Sequence, residues 1–585
     1  MKKKILLIIF LITHFVFYPQ QNNSYIKEWA TYFGGQGISL TNCNLDTQGN
    51  IIALGTISTS LYPPIKSDIN YFNSFTVNAE DSNLYQTNSK SILVKINPEG
   101  IILKTIYFPF IPINFYIDLS NNIFLSAVTE LDTLGTENVW FSNAVDDNNK
   151  TIILKLNSNF EKSWCTYIPV EDLGQIIIDE ENNIYGIGST KTRENITTPG
   201  VFQESFITQV SNYGYFPNGL LFKLNADGQL IWSTYYGVGV KGNSITHLNN
   251  EIITSFHIND DNIFNFPQYI QSFITTDALQ SSVSNSILSK FNKESGIRTY
   301  SSFFGNDSYV SHLTTDGFNI YMLAQQSQNL TNNLLLQNSF QTNFGGYFDL
   351  YLAKFTMNFQ PIWGTYIGGQ DFESFIPNSK LIFKSNALYL VGETESSQIA
   401  GITQFYQNNN AGATDLFVMK YDTNGSLIWG SFFGGSMQEY EGDILPINDS
   451  EFYLVGNTYS QNNIATSNVY QENLNFHPNY FNLNFGNGFV AKFSPDPQLS
   501  VPKINEYPFI IYPNPTNGQS INIKGNLKSN YSVELFSILG QKISSYKLNN
   551  TLSHNLNLNK LSPGTYFLKI TNGNFVLQTN KIVVN

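Results

Sequence analysis

The chain has 585 residues, of which only 13% are charged while 15% are aromatic, with 46 Phe and 34 Tyr. Ordinary globular chains carry roughly 25% charged residues, so this composition excludes a charged, disordered polypeptide and points to β-formers and turn-formers around an ample core. A formal net charge of −13 argues against nucleic acid and against anionic lipid as the main partner.

At the N-terminus, Lys2, Lys3 and Lys4 precede an apolar run over 5–17 and polar residues at 20–24. That order predicts a secretory signal peptide at 1–20, and the run is too short for a membrane span. Cys43 and Cys165 fall at different positions of different repeats. Spacing therefore leaves their pairing open, and no disulfide framework is present.

From there to about residue 497 one pattern recurs. An extended stretch carries a lysine (Lys95, Lys155, Lys223, Lys290, Lys354, Lys420 or Lys492), runs into a turn, and is followed by an aromatic strand. The lysines recur at a mean spacing of about 66 residues, the scale of stacked supersecondary units. Aromatic strands read W-A-T-Y-F-G-G at 29–35, W-S-T-Y-Y-G at 232–237, W-G-T-Y-I-G-G at 363–369 and W-G-S-F-F-G-G at 429–435. One unit is degenerate, with Lys104 in the tryptophan place. Turns such as N-A-D-G at 225–228 and D-T-N-G at 422–425 put glycine where positive φ is expected. Another strand ends in small residues, as in L-Y-L-V-G-E-T at 388–394. After it comes a long loop in which an apolar residue precedes glutamine: Gln86, Gln203, Gln280, Gln341, Gln407 and Gln471. A fixed amide in a loop reads as a staple for backbone groups, and the repeating lysines read as architectural, their stems packed and their ammonium groups at water or a carboxylate.

About four strands per unit allow a propeller or a linear solenoid. Trp29 lies in an aromatic strand with no lysine strand before it, and Lys492 in a lysine strand with no aromatic strand after it. Paired, they complete a ring; left open, they forfeit on the order of 4–5 hydrogen bonds at about 1 kcal/mol each. The expected fold is all-β, a seven-bladed β-propeller over 27–497 closed by pairing of its N- and C-terminal strands. The stretch K-Y-D-T-N-G-S-L-I-W-G-S-F-F-G-G at 420–435, with T-T-P-G-V-F-Q at 197–203, resembles the bacterial SBBP-type β-propeller repeat. The resemblance implies an exported seven-bladed propeller and carries no catalytic residues over.

A linker at 498–508 leads to a segment of different texture, with F-I-I-Y-P-N-P-T-N-G at 509–518, V-E-L-F-S-I-L-G-Q-K-I at 533–543, L-S-P-G-T-Y-F-L-K-I at 561–570 and K-I-V-V-N at 581–585. Short alternating strands between Pro- and Gly-bearing turns predict a small C-terminal β-sandwich. Residues 509–585 resemble the type A C-terminal sorting domain of the type IX secretion system of the Bacteroidetes. That resemblance implies type IX machinery as a partner and delivery into the medium or to the outer-membrane surface. It points to Tyr512, Pro513, Asn514, Pro515, Gly518, Gly564, Tyr566 and Lys569 as sorting-signal residues.

Enzyme signatures such as G-x-S-x-G, H-E-x-x-H, a Walker loop and C-x-x-C are missing, so no catalytic residue is assigned. His247, His257, His312, His477 and His554 do not form a ligand set. Carboxylates gather after the aromatic strands: Asp307, Asp371 and Glu373, then Glu439, Glu441 and Asp443. On a shared face they would form an acidic rim, a seat for calcium or a cationic ligand. The leading expectation is a secreted or surface-displayed binding or adhesion module that takes a glycan, peptide or protein through its loops. Propeller active sites draw single residues from separate blades, so an extracellular polysaccharide hydrolase or lyase stands as the alternative, and a structural surface-layer component as a third.

Overall fold

The computed structural model describes residues 25–34, 38–57, 91–145, 150–211, 214–258, 269, 273–328, 330, 340–373, 379–402, 405–474, 486–496, 509–527, 531–548, 550–558, 561–572 and 575–585. The expected signal peptide, Gln86, His477 and the 498–508 linker lie outside them. The fold is all-β and divides into two compact units, Met1–Asp496 and Pro497–Asn585. Among the described residues no helix is long and apolar enough to cross a membrane.

In the first unit, antiparallel strands follow one another in groups of four. The first group is Ile38–Leu45, Ile51–Ile57, Ser91–Ile96 and Ile102–Phe108, and groups of the same order span 111–168, 172–236, 240–304, 308–367 and 380–433. The last three strands, Glu439–Pro446, Phe452–Thr458 and Asn487–Pro495, take a fourth from the start of the chain. Tyr25–Phe33 pairs antiparallel with Asn487–Pro495, from Tyr25 opposite Pro495 to Phe33 opposite Gly488. Among the described residues no sheet closes on itself. The first strand of each group packs against the first strands of its neighbours, and Ile38–Leu45 touches both Ile111–Ile117 and Glu439–Pro446. Apolar side chains fill the spaces between sheets: Leu288 and Phe304 meet Met322, Tyr351 and Phe355, while Leu40, Ile51 and Ile92 meet Tyr453, Val455 and Val490.

The repeated lysines and tryptophans are cross-strand partners, as in Lys155 opposite Trp164, Lys223 opposite Trp232, Lys354 opposite Trp363 and Lys492 opposite Trp29. Each such pair reaches a turn of the adjacent sheet. The Trp363 indole donates to the Thr423 carbonyl at 3.1 Å and Lys354 Nζ to the same oxygen at 3.0 Å. Trp164 and Lys155 converge likewise on Ala226 O, at 3.0 and 3.2 Å. The indole lies so close over Gly228 and Gly425 that a Cβ there would meet ring atoms at 3.0 and 2.8 Å. The repeat pattern put the ammonium groups at water or a carboxylate; those of Lys354 and Lys155 end instead on turn carbonyls, and Lys420 Nζ lies 4.9 Å from the ring centroid of Tyr389, its cross-strand partner. Cys43 and Cys165 are both buried free thiols.

The second unit has two sheets, Ile510–Tyr512, Ser520–Leu527 and Thr551–Asn557 in one, and Lys542–Lys547, Tyr531–Ser537, Gly564–Asn572 and Phe575–Val584 in the other. They share one core built from Ile521, Ile523, Leu556, Val533, Leu535, Leu568, Ile570 and Ile582.

Candidate functional site at the loop end

Antiparallel order sends all connections of one kind to one end of the sheets. Tight turns such as 46–50 and 97–101 join first to second and third to fourth strands. The opposite end collects the connections out of each fourth strand and, among the described residues, the long connections between second and third strands that include 130–145, 191–211, 273–285, 340–348, 395–402, 405–414 and 459–474. The repeat glutamines other than Gln86 belong to these segments. Gln407 O accepts from Phe432 N at 2.9 Å, and its amide accepts from Gly434 N at 3.1 Å while donating to Asn409 O at 2.9 Å and Asp415 Oδ2 at 2.6 Å. Gln341 repeats the set with Tyr366, Gly368, Asn343 and Asp349. The staple covers the free edge of the fourth strand, which would otherwise present unpaired N–H and C=O groups.

Beneath each of these two staples sits a buried carboxylate pair. Asp415 receives the amides of Ala411 and Gly412 at 2.9 and 3.2 Å, and Glu439 receives Gly435 N at 2.9 Å and the Thr458 hydroxyl. They crowd Gly434, where a Cβ would lie 2.3 Å from Glu439 Oε2 and 2.5 Å from Asp415 Oδ1. In the preceding sheet Asp349 and Glu373 flank Gly368 in the same way, at 2.3 and 2.7 Å. All four side chains are wholly buried. Burial pushes Glu373 up to about 7, and Asp349 and Glu439 up to about 6, with Asp415 raised for the same reason. The hydroxyl and amide donors oppose the rise without cancelling it.

Glu441 and Asp443 lie farther along the same first strand. Asn457 donates to Glu441 Oε2 at 2.9 Å, Glu441 N donates to Glu393 Oε1 at 2.6 Å, and Cys43 N donates to Asp443 Oδ2 at 2.9 Å. Burial raises both acids against the pull of the Lys380 cation. His312, in the first strand of its own sheet, is depressed to about 3 by burial and further by Lys380. Hydrogen bonds tie first strands together sideways: Gln175 donates to Tyr116 Oη at 3.0 Å and accepts from Ser244 Oγ at 2.9 Å, and Ser244 Oγ accepts from Leu313 N at 3.0 Å.

The six sequence-selected acids therefore separate. Glu373 and Glu439 occupy equivalent buried places in neighbouring sheets, and Glu441 and Asp443 lie near Lys380. Asp307, which accepts from Ser327 and Asn285, and Asp371 are exposed. Sequence reading missed Asp349 and Asp415. The signal was there as two spacings shared by adjacent units: Gln to Asp at 341 and 349 and at 407 and 415, and G-G-x-x-x-E at 368–373 and 434–439. Among the described residues no three His, Cys, Asp or Glu side chains are placed to hold a metal ion.

In the second unit, Asn514 is bonded to the last strand, donating to Lys581 O at 2.7 Å and accepting from Val583 N at 2.9 Å. Gly564 and Tyr566 pair with Val584 and Ile582 of that strand, and Gly518 O accepts from Leu561 N at 3.1 Å. The structure thus draws residues 512–518 and 564–566 to the end of one strand. Lys569 stands apart, opposite Thr579 and Glu534.

Residues 510–585 match the family described as a secretion system C-terminal sorting domain. Such a tail implies secretion through the type IX system, contact with its machinery, and export to the cell surface or the medium. No curated protein matches the chain. Among solved structures, the chain is similar to that of a Dos1 propeller, at 8% identity over 80% of this chain and 94% of that one with a TM-score of 0.36. It is also similar to polysaccharide lyase Uly1, at 8% identity over 80% and 100% with a TM-score of 0.38, and to BamB from Moraxella catarrhalis, at 9% over 69% and 88% with a TM-score of 0.30.

Proposed function

We propose that residues 27–497 form a closed seven-bladed β-propeller, joined by the linker 498–508 to the sorting tail at 509–585, and that the exported chain is a binding or adhesion module. Its ligand, a glycan, peptide or protein, is received at the loop end. The observation that supports this reading is the asymmetry of the two ends among the described residues: tight turns at one, and long connections at the other, where binding residues on a rigid scaffold concentrate. The acids Asp307 and Asp371 are exposed there, in reach of a cationic group or calcium on the ligand. Screening the full exported chain on glycan and surface-protein arrays, with and without calcium, should give a retained ligand that is lost when the exposed residues of 395–414 are exchanged for glycine and serine. A chain that retains nothing under either condition sinks the proposal. The second reading, an extracellular polysaccharide hydrolase or lyase, needs a carboxyl that can reach substrate; Glu373 and Glu439 are wholly buried, whereas Asp371 is exposed at the loop end. Turnover of a polysaccharide panel that disappears in Asp371→Asn would put a hydrolase or lyase in place of the binder.

A further inference from the structure

The whole-chain charge conceals a tail of opposite sign. Residues 509–585 contain seven lysines and a single acid, Glu534, although the chain as a whole has 44 Asp and Glu against 31 Lys and Arg. The second unit also bears apolar side chains outside its core. In the hairpin joining Tyr531–Ser537 to Lys542–Lys547, the turn residues Ile538 and Leu539 are 69% and 91% exposed. The turn is held by Ser537, with Gly540 N donating to Ser537 O at 2.9 Å, Ser537 N donating to Gln541 O at 2.9 Å and Gln541 N donating to Ser537 Oγ at 3.2 Å. The aliphatic pair at its apex therefore supports no part of the fold.

The sheet behind this apex continues the surface. Val533, Leu535, Leu568, Ile570 and Ile582 point into the core, so alternation sends Phe536, Phe567, Lys569 and Lys581 to the opposite face. Phe536 is directly opposite Phe567, which is directly opposite Lys581. Ile543 and Phe567 are exposed. Lys542 pairs with Glu534 at 2.9 Å, while Lys547 and Lys581 are exposed. Aliphatic residues at a loop apex above a partly aromatic face rimmed by lysines match a bilayer surface, with acyl chains for the apex and anionic headgroups for the ammonium groups.

We propose that the sorting unit docks on an anionic lipid surface through the Ile538–Leu539 apex and the Phe536–Phe567 face, with Lys542, Lys547, Lys569 and Lys581 on the headgroups. The occupant is lipid because the surface joins a protruding aliphatic tip to excess positive charge on an otherwise acidic chain. The test is sedimentation of the full chain with vesicles of phosphatidylcholine alone and of phosphatidylcholine with about one third phosphatidylglycerol. Binding is expected to the anionic vesicles, to weaken as salt rises, and to fall about tenfold in I538S/L539S, since each exposed aliphatic residue removed takes away buried CH2 groups. A K547Q/K581Q variant should bind less and lose most of the salt dependence. Circular dichroism and thermal melting of each variant separate lost docking from lost folding. Absence of binding to both vesicles, or binding that I538S/L539S leaves unchanged while folded, overturns the proposal.

Discussion

Glu373 and Glu439 are buried beside a second carboxylate, and that placement makes stability depend on pH in an unusual direction. The folded pKa values of Glu373, Asp349 and Glu439 stand above the ordinary values of 4.5, 3.8 and 4.5, so the folded chain holds these protons more tightly than the unfolded one. The cost of the charged forms is present in full above pH about 7 and is relieved as pH falls through the folded pKa values. Stability should therefore rise between pH 8 and pH 5. At about 1.4 kcal/mol per pKa unit, Glu373 alone contributes roughly 2–3 kcal/mol to that rise. At lower pH the trend reverses, because Asp46, Asp179 and Asp316 have depressed values, against the pull of burial, from the side-chain and backbone donors around them. Calorimetric melts across this range should show a maximum on the acid side of neutrality, and Glu373→Gln should flatten the limb between pH 6 and 8. A melting temperature that climbs steadily from pH 5 to 8 would show that these carboxyls are not paying out protons on unfolding in the stated order.

At the scale of strands and turns, the stabilising unit is a contact between neighbours: an indole and an ammonium on one sheet, a glycine turn on the next. Where the turn lacks glycine the partner changes too. Lys104 stands in the tryptophan place and donates to Asn159 O beneath Phe160, at φ 65°, and Tyr300 stacks on Phe359, at φ 56°, with centroids 5.0 Å apart. Gly425 is thus constrained twice, by φ of 86° and by Trp363, whereas Gly49 has φ of 81° with nothing within 4 Å of a Cβ. Gly49→Ala should cost about 1–2 kcal/mol for the left-handed backbone alone, and Gly425→Ala a further 1–3 kcal/mol or so for overpacking. Urea denaturation of the two variants measures the difference, and equal losses would remove the indole contact from the account. Much of this was legible beforehand, because a tryptophan follows the repeat lysine at nine residues in four units, with Lys104 and Tyr300 in its place in two others, and the glutamines recur in the same long loops. The identity of the touching partners was not, since Trp363 meets Thr423 some sixty residues on and only the stacking of sheets decides which turn it covers. For the same reason Glu373 read as a rim acid: its partner Asp349 lies in another strand, and periodicity along a strand carries no information about depth.

For the first unit as a whole, the junction between its last and first sheets decides whether it behaves as one body. The last sheet has no turn to place beneath Trp429 of the sheet before it, because its third strand, Asn487–Pro495, pairs with a strand from the start of the chain. Tyr25 takes the place, its ring 4.1 Å from Phe405 and 5.6 Å from Trp429 by centroids. From the same strand, the Trp29 indole donates to Pro98 O at 3.0 Å, in the turn of the first sheet, and Lys492 pairs with Glu28 at 2.7 Å. One strand thus completes the last sheet and grips the first. A linear array unfolds piecewise from its ends, each repeat depending on its nearest neighbours, whereas a ring has no terminal repeat. Removing residues 25–33 separates the two behaviours. In an open array, the amides of Phe452–Thr458 and Asn487–Pro495 should lose hydrogen-exchange protection while those of Ile51–Ile57 and Ser91–Ile96 keep theirs. In the proposed ring, protection should fall on both sides of the junction together, because the strand that completes one sheet also supplies the Trp29 contact to the other. Loss confined to the last sheet, with the first unaffected, would leave the seven groups of strands as an arc.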